Sequence, residues 1–169
     1  HLVLGFLGQL LVGNRLIQVQ GPQGSGKSRV MTLFVLLLRL ARHDLKVLWM
    51  ARQNPTLDQT ASTLDKLVPQ DSQLAQEIGR SPGWSWEGKT QEESIPFTAT
   101  PAELGRRGLS IMTFGRLETD QEHAWPRITL EDVDAVLIDE AQQQTPSVLL
   151  VQACLPAHAV VIRVGDTQQ

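Results

Sequence analysis

Five short runs of nearly unbroken apolar residues constrain the fold of this chain more than any other feature. They are Leu16–Gln20, Lys46–Ala51, Leu109–Phe114, Asp134–Asp139 and Ala159–Gly165. Most do not alternate: Ala135-Val136-Leu137-Ile138 and Val160-Val161-Ile162 are apolar at every position. A strand with one wet face alternates, whereas a strand covered on both faces is apolar throughout, as in a parallel sheet between helices. Helical patterns fall between the runs. Lys27–Arg42 is apolar almost all round, which predicts a helix held between the sheet and another layer. Thr56–Val68 places Leu57, Ala61, Leu64, Leu67 and Val68 on one side, with Asp58, Asp65 and Lys66 among its polar positions. Thr145-Pro146 reads as a cap and first-turn proline opening a short helix. Strands alternating with helices predict an α/β doubly wound fold. Residues 69–107 break the rhythm with Pro69, Pro82, Pro96 and Pro101, and are expected to form an irregular insertion within one domain spanning residues 1–169.

The first run leads into Gly21-Pro22-Gln23-Gly24-Ser25-Gly26-Lys27-Ser28. This matches G-x-x-x-x-G-K-[ST] between a predicted strand and a predicted helix, the context that defines a phosphate-binding P-loop. Gly24 and Gly26 allow the backbone to turn so that successive N–H groups converge on one phosphate cluster. The N-terminus of the following helix adds its partial positive charge. In such a loop Lys27 reaches the β- and γ-phosphates and Ser28 ligates Mg²⁺, so Gly21, Gly24, Ser25, Gly26, Lys27 and Ser28 are the expected nucleotide contacts.

A Mg²⁺–triphosphate site also needs a carboxylate near the metal and a group that positions the attacking water. Asp139 and Glu140 close the apolar run Ala135–Ile138, and ligands of parallel sheets sit at the carboxyl ends of strands. Asp139 is therefore expected in the Mg²⁺ shell, and Glu140 as the group that orients the water and accepts its proton. The plainer alternative is an Asp-Glu pair that only caps the next helix.

Taken together, Gly21–Ser28, Asp139-Glu140-Ala141-Gln142 and Gly165-Asp166-Thr167-Gln168-Gln169 resemble motifs I, II and III of superfamily 1 helicases. Ala51-Arg52-Gln53-Asn54-Pro55-Thr56-Leu57-Asp58 is similar to motif Ia of the branch containing senataxin and the nonsense-mediated-decay helicase. Ser110-Ile111-Met112-Thr113 resembles the strand-end threonine motif that follows. The resemblance implies a RecA-like P-loop NTPase domain that uses ATP and Mg²⁺ to move along single-stranded RNA or DNA. It implies that Gln169 senses the γ-phosphate, and that Gln142 and Asp166 link the nucleotide to the nucleic-acid groove. Asn54 and Thr113 would face the nucleic-acid backbone. Asn54 before Pro55 also reads simply as a helix entry. Motifs IV to VI do not occur in the chain, so the resemblance implies a second RecA-like domain elsewhere and weak turnover without it. It further implies work inside the cell, in cytoplasm or nucleus. Gln9, amid an apolar run, does not match the family's upstream adenine-recognition glutamine.

Composition narrows the remaining classes. Fifteen basic and eighteen acidic residues give a net charge of −3, which excludes a uniformly basic nucleic-acid coat but not a local groove. One cysteine, Cys154, excludes an internal disulfide framework, and its apolar neighbours predict a core position. Leu2–Val12 is too short to span a bilayer, which takes roughly 20 apolar residues, so no membrane partner is expected. The chain opens on His1 and stops at Gln169, as a piece of something longer would. Trp84 and Trp86 suit either base stacking or a hydrophobic anchor; only Arg80 and Lys89 lie nearby as positive charge, which favours the anchor. Arg39, Arg42, Lys46 and Arg52 cluster near the Asn54 motif, and such charges usually sit solvated on helix ends and loops.

Overall fold

Every one of the five apolar runs is a strand in a computed structural model, which describes residues 13–22, 24–81, 95–119, 130–140 and 152–165. The strands are β1 (Leu16–Gln20), β2 (Val47–Ala51), β4 (Leu109–Thr113), β5 (Ala135–Ile138) and β6 (Val160–Gly165). A sixth, β3 (Ile78–Arg80), lies in the stretch expected to be irregular. All pair in parallel in one sheet of order β1-β6-β5-β2-β4-β3. The helices are α1 (Lys27–Ala41), α2 (Asn54–Leu67), α3 (Gln73–Gln76), α4 (Pro101–Leu104) and α5 (Phe114–Thr119).

Register explains why the central strands are apolar at every position. Trp49 lies beside Ile111 on one side and Leu137 on the other, and these three share a core with α1 residues Met31, Phe34 and Val35 and α2 residues Leu57 and Leu64. The intervening residues Leu48, Met50, Met112, Val136 and Ile138 point the other way, into a second core with Ala99, Leu104 and Phe114. β2 and β5 are buried at every position. The edge strand β1 alternates instead, burying Ile17 and Val19 and exposing Leu16.

Three positions depart from the sequence reading. Arg39, expected to be solvated, is buried, pairing with Glu77 and donating to the Leu45 carbonyl. Cys154, expected in the core, is exposed on a helical stretch at 152–154. The outer face of α1, expected to meet another layer, exposes Leu33, Leu37 and Leu40. The predicted helix at Thr145-Pro146, the segment Leu2–Val12 and the tryptophans Trp84 and Trp86 lie outside the described residues. Among the described residues no helix is long and apolar enough to cross a membrane.

Candidate nucleotide and nucleic-acid site

Because all strands are parallel, their carboxyl ends share one edge of the sheet, and the loops leaving that edge carry the candidate residues. Between β1 and α1, Gly24 and Gly26 adopt φ values of +76° and +81°, the left-handed region that costs an L side chain most. Gly26 is the N-cap residue of α1, so the turn ends by aiming the first helical N–H groups at the loop's interior. Lys27 Nζ donates to the carbonyls of Gly21 at 2.6 Å and Pro22 at 2.8 Å. Its ammonium is thus held over the loop, close to where phosphate oxygens would replace those acceptors.

Ser28 and Asp139 are 111 residues apart in sequence, yet Ser28 Oγ donates to Asp139 Oδ2 at 3.2 Å. β5 delivers Asp139 to this place, and its backbone N–H bonds to the Met50 carbonyl at 2.8 Å. The other carboxylate oxygen, Oδ1, accepts the Glu140 N–H at 3.0 Å. Asp139 is buried. Burial pushes its carboxyl above the ordinary range, and Glu140 adds to that; the Glu140 N–H, the Ser28 hydroxyl and Lys27 work the other way. A buried carboxylate with incomplete compensation is a ready ligand for a cation. Among the described residues no group of three or more His, Cys, Asp or Glu could hold a metal alone. One carboxylate and one hydroxyl are instead the donor set of a Mg²⁺ ion shared with substrate phosphates. The residues present fit that ion.

Glu140 follows with φ +55°, a conformation uncommon for non-glycine residues. Its Oε1 accepts a hydrogen bond from Thr56 Oγ1 at 3.1 Å. Its Oε2 is buried with no partner among the described residues.

The other expected contacts divide. Asn54 lies at the start of α2, after β2, and its side-chain carbonyl accepts from Arg80 Nη2 at 2.7 Å. Thr113 ends β4, and its hydroxyl accepts the Arg116 N–H at 3.3 Å, capping α5. Gly21 and Ser25 lie in the loop. Gln142, Asp166 and Gln169 lie outside the described residues; β6 brings Gly165, the residue before Asp166, into register with Gln20 at the mouth of the P-loop.

Two residues of this region escaped sequence reasoning. Arg80, named only as a positive charge near Trp84 and Trp86, is fully buried and holds Asp58 through Nε at 3.1 Å and Nη2 at 2.9 Å. Burial lowers its guanidinium below the usual arginine value, and Asp58 opposes that. Thr56, a plain helix residue in the sequence, reaches Glu140. The signal for Thr56 was its position two residues after Asn54, inside a motif already marked; for Arg80 there was none, since burial of a lone arginine depends on partners brought from elsewhere.

A family profile described as "Type III restriction enzyme, res subunit" matches residues 6–145, well over half of the chain. The chain belongs to this family. Members of the res-subunit family are not alone in sharing its architecture. The UvsW helicase from bacteriophage T4 superposes with a TM-score of 0.60 at 14% identity, over 89% of this chain and 46% of that one. The Pyrococcus furiosus Hef helicase domain gives 0.58 at 22% identity, over 92% and 30%. An arterivirus nonstructural protein 10, a helicase solved with DNA, gives 0.53 at 13% identity, over 90% and 29%. At these identities the likeness is one of fold, and it is the RecA-like fold of helicase domains. The chain spans less than half the length of each of these structures. No curated protein sequence matches it.

Proposed function

We propose that this res-subunit-family domain binds and hydrolyses ATP with Mg²⁺ as one half of a motor that moves along single-stranded nucleic acid. The observation that carries the reading is the Ser28–Asp139 hydrogen bond. It joins the P-loop helix to the end of β5 at the place where a metal–triphosphate would need a hydroxyl and a carboxylate side by side. Lys27 and the N–H groups of the glycine turn hold the phosphates, with Gly21, Gly24, Ser25 and Gly26 shaping that turn. Ser28 and Asp139 hold Mg²⁺, which when bound neutralises charge on the β- and γ-phosphates. Glu140 lies beside Asp139 with its Oε2 buried and without a partner among the described residues. It orients a water in line with the γ-phosphorus and takes its proton as the O–P bond forms and the bond to the leaving ADP breaks.

The finer assignment follows from motif chemistry. The order Gly21–Ser28, Asp139–Gln142, Gly165–Gln169 supports superfamily 1, and Asn54–Asp58 supports its senataxin-like branch. On that reading Gln169 senses the γ-phosphate, Gln142 and Asp166 couple it to the groove, and a second RecA-like domain supplies the remaining catalytic charge. Thr113 and the α2 entry at Asn54 lie on the same edge of the sheet as the P-loop, which suits a nucleic-acid track there. Asn54 then acts through its backbone and its amide nitrogen, since its side-chain carbonyl is bound to Arg80.

ATP turnover by the full-length protein, with and without single-stranded RNA or DNA, tests the reading. A motor is stimulated many-fold by the strand, and Lys27→Ala removes both basal and stimulated turnover. Basal turnover without stimulation would favour an ATPase that remodels its target without translocating. No Lys27-dependent turnover under either condition would leave only a scaffold.

A further inference from the structure

Thr56 belongs to none of the groups that touch a nucleotide in the reading above, yet it makes the side-chain hydrogen bond to Glu140. Its hydroxyl donates to Oε1 at 3.1 Å, while Oε2 is buried and without a partner among the described residues. We infer that Thr56 is a positioning residue for hydrolysis: by donating to Oε1 it fixes the orientation of the Glu140 carboxylate and leaves Oε2, without a partner among the described residues, as the oxygen that acts on the water. The inference rests on the assignment of Glu140 as the water-activating base.

Three features make Thr56 suited to this. It sits in the first turn of α2, two residues after Asn54, and its own position is fixed from below. Arg80, buried under that turn, binds Asn54 at 2.7 Å and Asp58 at 2.9 and 3.1 Å, so the helix start that carries the hydroxyl is clamped on both sides of Thr56. The Thr56 carbonyl is also engaged, accepting from Thr60 Oγ1 at 3.1 Å. The acceptor side is equally restrained. Glu140 has a left-handed backbone with its N–H bound to Asp139, which leaves its side chain to be fixed by Thr56. A glutamate free to swing loses much of the advantage of a preset geometry, since displacement of about 1 Å can cost two orders of magnitude in rate. The same turn carries Asn54, so a nucleic-acid strand bound at the α2 entry would be joined to the Glu140 carboxylate through the Thr56 hydrogen bond.

The test is a mutant cycle in the full-length protein, read as kcat and KM for ATP at saturating single strand. Thr56→Val keeps the shape and removes the donor; Thr56→Ser keeps the donor. The valine variant is expected to lose about ten- to a hundredfold in kcat, with KM and thermal melting close to wild type. The serine variant is expected to recover most of the rate. In a Glu140→Gln background, Thr56→Val should add little further loss, because both changes remove the same function. Unchanged kcat in the valine variant overturns the inference, as does a serine variant as slow as valine or a full additive loss on Glu140→Gln. Should Glu140→Gln itself turn over at the wild-type rate, the assignment of Glu140 fails and the inference falls with it. An inactive Glu140→Gln beside an unimpaired Thr56→Val sinks the inference alone.

Discussion

Burial makes the ionised form of Asp139 costly in the folded chain, against the help of the Glu140 N–H, the Ser28 hydroxyl and Lys27. The proton affinity of Asp139 is raised in the folded chain, chiefly by burial. As pH rises past the ordinary carboxylate value, the unfolded chain therefore releases its proton first, and the folded state loses stability. That loss is complete once pH exceeds the raised value, and above it the ionised Asp139 works against the nucleotide-free fold. Asp139→Asn removes the charge while leaving Oδ1 to accept the Glu140 N–H and an amide to meet Ser28. Differential scanning calorimetry without Mg²⁺ or nucleotide should show the melting temperature rising, by about 2–4 °C per kcal/mol recovered, while ATP hydrolysis is lost. A lower melting temperature would mean that Asp139 contributes more as an acceptor than it costs as a charge. Such an exchange of stability for function is common where a site must hold an uncompensated group.

At the scale of elements, the start of α2 depends on a side chain three strand positions deep in β3. Arg80 is fully buried and anchors Asn54 and Asp58. Removing one partner of a buried pair leaves the other uncompensated, which costs about 3–5 kcal/mol. Asp58 retains some exposure, so Arg80→Ala is expected at the lower end, about 3 kcal/mol, measured as a drop in the urea midpoint with m unchanged. A midpoint equal to wild type would show that solvent or another cation replaces the guanidinium. β3 also marks the limit of what the sequence alone conveys. Leu16–Gln20 and Ala135–Ile138 read as strands because burial on both faces, or on one, leaves a repeating apolar trace. Ile78-Gly79-Arg80 leaves none. Its glycine reads as a break, but a Cβ there would come within 2.9 Å of the side chains of Leu104 and Arg107, so the glycine is what allows the turn after α4 to close on the strand. Its arginine reads as surface, but Asp58 and Asn54 arrive from α2 to receive it. Strand pairing through the backbone, with side chains satisfied by distant partners, has no local signature. The P-loop and Asp139-Glu140 were legible for the opposite reason: their chemistry requires fixed residue types at fixed spacing, whatever surrounds them.

At the scale of the molecule, the sheet order places β6 between β1 and β5. The P-loop and Asp139 thus leave the same edge from strands separated by β6, and Ser28 at the start of α1 meets Asp139 there at 3.2 Å. The α2 entry and Thr113 leave the same carboxyl edge of the sheet farther along it. The net charge of −3 is compatible with a nucleic-acid track confined to that edge. In the proposed motor, Glu140 activates the water while the P-loop holds the nucleotide independently of it. Single-turnover hydrolysis and equilibrium ATP binding by Glu140→Gln in the full-length protein separate the two. ATP affinity within a few-fold of wild type, with hydrolysis slowed by about a hundredfold or more, is the predicted result; hydrolysis at the wild-type rate would contradict it.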